Sequence, residues 1–279
     1  MTLSPNLQRR VIRVAHSLGN RNPAVKAWLH FTCTQLGCEL QIHPYVWTLR
    51  KAHRVLRLAP RQFTAVPHFA DRFDAYFETL VPESKGAESL LDFSRVHIDT
   101  YEKSGLAFEF SAAPEEEEIL DSWFEWYRPA AEDLVFDIGA GCGVSTYILS
   151  RFANRVIAFE PDGLSFAILQ RNIDRHELKN VTLHKPQCDL KSAFERYGVP
   201  AYCKIDLDGE EVKLLDNARA LLAKSTLNLA IRTTHESRGV CHRERIETLL
   251  RSCGFEAEGH PSLGITWARK AGGPERPPV

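Results

Sequence analysis

No stretch of this chain approaches the roughly 18 consecutive apolar residues that suggest a membrane span. Arg9, Arg10 and Arg13 stand near its start, but no apolar segment follows them, so a secretory signal is not expected. The seven cysteines, Cys33, Cys38, Cys142, Cys188, Cys203, Cys241 and Cys253, form no Cys-x-x-Cys pair. That argues against a zinc ribbon and against a thioredoxin-type site, and it fits reduced thiols in a cytoplasmic protein. There is no internal repeat and no RNA-recognition signature of the RRM kind. What is present is the composition of a globular protein, 44% hydrophobic and 25% charged over 279 residues. That length suffices for one large domain or two small ones, with a packed core.

The net charge of −1 conceals an asymmetry. Residues 1–61 carry ten lysines and arginines against one acid, Glu39, a local charge of +9 that leaves −10 for the remainder. Unequal charge along a chain points to different partners for its parts. The spacing predicts a helical N-terminal region over 1–85. Ser4-Pro5 opens one helix, Asn22-Pro23 a second that runs toward Gly37, and a third is expected from about Pro44 to Leu58. On that third helix Val46, Leu49 and Leu56 share one face, and Arg50, Lys51, Arg54 and Arg57 form a basic one. A further helix is expected over Phe69–Leu80.

Over 86–131 the pattern predicts a β-hairpin, Val96–Tyr101 with Leu106–Phe110, turning at Lys103-Ser104-Gly105. A lead-in helix from Ser111 or Pro114 follows, with Glu115 to Glu118 in its first turns and Leu120, Trp123, Phe124 and Tyr127 as its apolar stripe. From 132 to 270 strands and helices alternate, as parallel βαβ units require. The strands expected are Leu134–Ile138, Val156–Glu160, Val181–His184, Ala201–Asp206 and Thr226–Arg232. A helix from about Arg243 to Cys253 follows, then strands Phe255–Glu258 and Ile265–Arg269. The Gly- and Pro-rich tail, 271–279, is expected to be disordered.

One segment carries more chemistry than the rest. Val135-Phe136-Asp137-Ile138 leads into Gly139-Ala140-Gly141-Cys142-Gly143, and a helix follows. Glycine permits a tight turn and lets a ligand touch backbone. The acid Asp137 before the glycines would be awkward beside a pyrophosphate but would welcome a cationic amino group. Glu160, about 20 residues further on at the next strand's end, is placed to accept hydrogen bonds from ribose hydroxyls. Together these residues select an adenosine-containing cofactor.

Asp137-x-Gly139-x-Gly141-x-Gly143, Ala158-Phe159-Glu160-Pro161, Asn180-Val181 and Lys204-Ile205-Asp206-Leu207-Asp208-Gly209-Glu210-Glu211 resemble the FkbM-type methyltransferases. These are class I S-adenosylmethionine enzymes that often O-methylate sugars, glycans or polyketides, and the resemblance spans about Asp92 to Phe255. It implies a Rossmann-like class I methyltransferase sheet with helices on both faces, preceded by the helical region and the hairpin. It implies that Asp137, Gly139, Ala140, Gly141 and Gly143 hold the methionine part and that Glu160 binds ribose. Pro161 follows Glu160, and Asp162, Gln187 and Cys188 would flank adenine, with Asp206 facing the methyl donor. The family's Glu-x-His on the fifth strand is replaced by Thr233-Thr234-His235, so its acid is missing.

Methyl transfer to an alcohol gains from a base, and His235 and Asp206 are the candidates. Asp206 with Asp208 could also share Mg²⁺, a cation that prefers oxygen ligands. The fourth strand lacks the Asn/Asp-Pro-Pro-Tyr motif of enzymes that methylate exocyclic amines, which favours an oxygen acceptor. The expected partner is a small-molecule or glycan acceptor. The basic face could instead grip an anionic glycan, a headgroup or RNA, or pack against the acidic remainder, within the chain or across a homodimer.

Overall fold

The computed structural model describes residues 14–15, 17–114, 117–234, 236–237 and 240–270. The Ser4-Pro5 helix start, Glu115, Glu116, His235 and the 271–279 tail lie outside the described residues. The chain divides into two compact units, Met1–Glu116 and Glu117–Val279.

In the first unit, α1 (Pro23–Gln35) starts as its sequence predicts. Asn22 Oδ1 accepts the Ala24 amide, and proline occupies the first helical turn, where its missing N–H costs nothing. The stretch expected to be a third helix is instead two strands, β2 (Trp47–Lys51) and β3 (Arg54–Leu58), preceded by β1 (Glu39–Ile42). Lys51 pairs with Arg54 across a two-residue turn in which Ala52 takes φ 52°. The helix expected over Phe69–Leu80 is broken at Arg72 into α2 (Val66–Asp71) and α3 (Phe73–Thr79). β4 (Glu83–Lys85) and β5 (Glu88–Phe93) complete a sheet of order β1-β2-β3-β5-β4. The expected hairpin is present as β6 (His97–Thr100) and β7 (Ala107–Phe110).

The basic residues of β2 and β3 find their acids inside this unit. Arg50 pairs with Glu88 at 2.5 Å, Lys51 with Asp74, Arg54 with Asp74 at 3.2 Å and Arg57 with Asp92 at 3.7 Å. Four of the ten basic residues of positions 1–61 are therefore paired with acids downstream in the same unit.

The second unit opens with α4 (Glu117–Ser122). The expected lead-in helix stops there, and Trp123, Phe124 and Tyr127 lie beyond it, still buried. They cap the sheet through Tyr202, whose Oη donates to the Trp123 carbonyl at 2.5 Å and whose ring stacks on Tyr127. The Trp267 indole N–H donates to the Ser122 carbonyl at 2.8 Å. The strands are β8 (Leu134–Ile138), β9 (Arg155–Phe159), β10 (Val181–His184), β11 (Tyr202–Ile205) and β12 (Asn228–Arg232). A short hairpin, β13 (Glu236–Ser237) with β14 (Val240–Cys241), follows β12, and β15 (Phe255–His260) and β16 (Ile265–Lys270) end the unit. The sheet order is β10-β9-β8-β11-β12-β16-β15, with β16 alone running antiparallel to the other six strands.

Alternation along each strand sends side chains to opposite layers. Phe136, Ile138, Ile157, Phe159, Cys203, Ile205, Leu229 and Ile231 pack with residues from α7 (Leu190–Tyr197), α8 (Glu211–Asn217), α9 (Arg219–Leu222) and α10 (His242–Ser252). On the other face Ala158 packs with Leu169 and Ile173 of α6 (Gly163–Arg175), while α5 (Val144–Phe152) lies against β8 and β9. This is the expected Rossmann-like sheet with helices on both faces. From β8 the chain steps outward through β9 to β10, then returns to the other side of β8 as β11. Ligands of open α/β sheets bind at such a reversal, beyond the strands' carboxyl ends.

Candidate cofactor site

The glycine loop sits at that reversal, and each glycine answers a different constraint. Gly139 takes φ 74°, and a Cβ there would stand 1.7 Å from the Asp206 carbonyl oxygen, so the β8 and β11 ends touch backbone to backbone. Gly143, the N-cap of α5 at φ 95°, would drive a Cβ to within 2.4 Å of Leu169 Cδ1. Gly141, at φ 55°, has nothing within 4 Å of a built Cβ. The first and last glycines are closed by packing, and the middle one opens outward.

Glu160 binds this loop to β9. Its Oε2 accepts the Gly141 amide and its Oε1 the Asp162 amide, both at 2.8 Å. The side chain is buried in a residue only 6% exposed. Burial raises its carboxyl above the ordinary glutamate range; the Asp162 and Gly141 amides and the Lys204 charge pull the other way without cancelling that rise. Each carboxylate oxygen keeps a second lone pair for a further donor.

Asp137 lies beneath the loop rather than on an open wall. It is wholly buried, and its Oδ2 accepts the hydroxyls of Ser145 at 2.8 Å and Thr146 at 2.6 Å in the first turn of α5. Lys204 Nζ stands 3.3 Å from Oδ1, donates to the Gly139 carbonyl at 2.6 Å and lies 5.3 Å from the centre of the Trp123 ring. A lysine in the centre of a covered sheet needs a buried anion, and Asp137 is that anion. The aspartate also places negative charge at the start of α5, the end that would otherwise attract a phosphate.

Asp162 caps α6, its Oδ1 accepting the amides of Leu164 at 3.0 Å and Ser165 at 2.8 Å, and these bonds hold its carboxyl below the usual range. Ala140 is buried and donates its amide to the Phe159 carbonyl at 3.0 Å, and Pro161 is exposed. Gln187 and Cys188 line a pocket of about 320 Å³ together with Glu210, Lys213 and Asn217. None of the glycine loop, Glu160 or Asp162 lines that pocket. The structure thus joins Asp137, Gly139, Gly141, Glu160 and Asp162 into one bonded cluster, and sets Gln187 and Cys188 between α7 and α8.

Asp206 leaves β11 half-buried, its amide donating to the Ile138 carbonyl at 2.9 Å. Asp208 is exposed at φ 51°. The Mg²⁺ expectation gains no ligand set: among the described residues no group of three or more His, Cys, Asp or Glu is placed to hold a metal. Glu211, the first residue of α8, reaches back to the loop before it, its Oε1 accepting the amides of Leu207 at 2.8 Å and Gly209 at 3.3 Å. Lys204 and Glu211 are the two residues whose roles the motif alone did not reveal. The burial of a lysine among Tyr202, Cys203 and Ile205 was a readable signal, but Glu211 looks like any helix-start acid.

No family model matches the chain, and no curated protein matches it. Among solved structures it is similar to the C-terminal domain of precorrin-6Y C5,15-methyltransferase from Rhodobacter capsulatus, at 16% identity and TM-score 0.46, covering 59% of this chain and 94% of that one. It is also similar to the methyltransferase FkbM from Methylobacillus flagellatus KT, at 18% identity and TM-score 0.42, with 75% of this chain and 54% of that one covered. A precorrin 8W decarboxylase from Methanobacterium thermoautotrophicum gives 19% identity and TM-score 0.44, with 57% and 92% covered. The chain spans about half of the FkbM protein. Likeness at this level concerns the fold.

Proposed function

We propose that this protein is an S-adenosylmethionine-dependent methyltransferase of FkbM-like type, directed to an oxygen of a sugar, glycan or secondary-metabolite hydroxyl. The observation that carries the reading is Glu160. A buried carboxylate, fixed by two backbone amides, stands at the sheet's reversal point beside the outward-facing Gly141. Such a group can accept paired hydrogen bonds from vicinal ribose hydroxyls. The start of α5, already occupied by the Asp137 carboxylate, disfavours a pyrophosphate there.

The cofactor would supply a methyl group already activated on a sulfonium, transferred by in-line displacement. Glu160 would hold the ribose, and the amides and carbonyls of residues 139–143 would hold the methionine part. Asp137 and Lys204 keep that loop in place from below. Gln187 and Cys188 are proposed on the adenine side, with Asp162 fixing the start of α6 nearby. Asp206, half-buried at the carboxyl end of β11, would orient the acceptor hydroxyl and take its proton, with His235 as the alternative base. The absence of an Asn/Asp-Pro-Pro-Tyr segment after β11 supports an oxygen over a planar nitrogen.

An RNA acceptor is less well supported, because Arg50, Lys51, Arg54 and Arg57 already face Glu88, Asp74 and Asp92. Turnover to S-adenosylhomocysteine with a panel of sugars, polyketides and RNA tests the proposal. Turnover with a hydroxylated small molecule supports it. Turnover with RNA, steeply salt-dependent and lost when Arg50, Arg54 and Arg57 become Ala, would replace it. Cofactor binding without turnover on any member would point to a non-catalytic binding partner.

A further inference from the structure

We infer that Glu211 and His242 form a buried positioning pair that fixes the acceptor side of the site, in place of the acid missing beside His235. The inference rests on the methyltransferase reading and deepens it.

The loop leaving β11 is held at both ends. Asp206 is bonded to Ile138, and the amides of Leu207 and Gly209 converge on Oε1 of Glu211, the first residue of α8. Between them Asp208 takes φ 51° and Gly209 φ 108°, a left-handed bend that a non-glycine residue adopts only when its surroundings impose it. Glu211 is what imposes it here. Its side chain has no exposure, and the loop's shape follows the position of its carboxylate.

The other oxygen of that carboxylate is anomalous. Glu211 Oε2 is buried and has no hydrogen-bond partner, which is costly for a charged group. The basic group facing it is His242 Nδ1, 3.8 Å away, on a side chain only 5% exposed. That separation exceeds a hydrogen bond and leaves no room for an intervening water. An acceptor-only oxygen attracts Nδ1 only if Nδ1 carries a proton. His242 opens α10, directly after the β13–β14 hairpin. The pair therefore ties the β11 exit, where Asp206 stands, to the start of α10. Asp206 is a candidate base, and the loop that follows it is braced from within by this contact. Neither residue reaches the glycine loop through a bond on this path. The pair is therefore expected to act on transfer to the acceptor and not on cofactor binding.

The test compares H242A, H242N and E211Q in the full chain. Asparagine places its amide N–H where Nδ1 stood, so it restores the donor without the ring. The readouts are S-adenosylhomocysteine affinity, turnover on an accepted panel member, and hydrogen exchange at the Leu207 and Gly209 amides. H242A is expected to lower turnover about tenfold or more, as a displacement near 1 Å can, and to speed exchange at both amides. Its affinity for S-adenosylhomocysteine should stay within about twofold of wild type. H242N should recover most of both losses, and E211Q should speed exchange at the same two amides while the chain stays folded. Unchanged exchange in H242A, or a loss that H242N does not relieve, would overturn the inference. An affinity loss as large as the turnover loss would overturn it as well. If wild type failed to bind S-adenosylhomocysteine, the methyltransferase reading would fall, while amide exchange would still decide the pair.

Discussion

Replacing Lys204 by methionine isolates the interaction that holds the glycine loop from below. Methionine keeps most of the side chain's length but removes the ammonium group, and with it the charge facing the Trp123 ring. That loss leaves Asp137, with no exposure, supported by two hydroxyls and no cation, and it leaves the Gly139 carbonyl without its donor. Breaking one side of a buried pair costs about 3–5 kcal/mol. Domains have about 5–15 kcal/mol in all. For a unit of this size each kcal/mol lowers the melting temperature by roughly 2–4 °C. Calorimetry should therefore show the second unit melting roughly 6–20 °C lower in K204M. The double variant D137L/K204M removes both charges, and it should recover most of that loss, since an apolar replacement of a buried pair is often neutral. The reasoning is refuted if K204M melts within 2 °C of wild type, or if D137L/K204M is no better than the sum of its parts.

Other outcomes follow from the same geometry. E160Q removes the charge that would bind ribose and turns one of its two acceptor oxygens into a donor, and should weaken S-adenosylhomocysteine roughly 10- to 150-fold by titration calorimetry, the worth of a hydrogen bond to a charged group. In wild type the same affinity should fall as pH is lowered through the Glu160 carboxyl, beginning above the ordinary glutamate range because burial has raised it. Gly139→Ala should prevent stable folding, since its Cβ meets the Asp206 carbonyl. Gly141→Ala should fold with about 1–2 kcal/mol lost to its left-handed φ, yet bind S-adenosylhomocysteine poorly because its Cβ enters the open space. In the first unit, His97 Nε2 lies 2.8 Å from Asp99 Oδ2 and its Nδ1 lies 2.6 Å from the Arg95 carbonyl, so both nitrogens face acceptors, which favours the doubly protonated ring. Burial lowers its pKa, but Asp99, the Arg95 carbonyl and Asp92 outweigh burial and raise it overall. A raised histidine stabilises fully below its unfolded value of about 6.5. Denaturant melts of wild type should therefore lose stability as pH rises through the folded value, and H97Q should abolish that dependence.

The second unit was largely legible because its strands are short apolar runs ended by turn residues. Leu134–Ile138 and Val181–His184 lie where the sequence puts them. Residues 44–58 were not legible, because Val46, Leu49 and Leu56 satisfy a helical spacing, while in the structure Leu49 and Leu56 meet as cross-strand partners. The turn that separates the strands is Ala52-His53, which lacks the glycine or asparagine that usually marks a left-handed residue. Trp123 and Tyr127 have helical spacing but are buried by Tyr202, a contact 79 residues away in the case of Trp123 that no local pattern announces. At the site, the glycines and Glu160 were visible by type and spacing. The burial of Asp137 was not, since its partner Lys204 arrives from β11, and the direction in which an acid points depends on that distant charge.

The central claim is that Glu160 and the open Gly141 form an adenosyl-binding cleft. Titration calorimetry of S-adenosylhomocysteine against wild type and E160Q tests it most directly. Saturable one-to-one binding by wild type that weakens at least tenfold in a folded E160Q is the predicted result. No heat of binding in wild type, or equal affinity in both proteins, would contradict it.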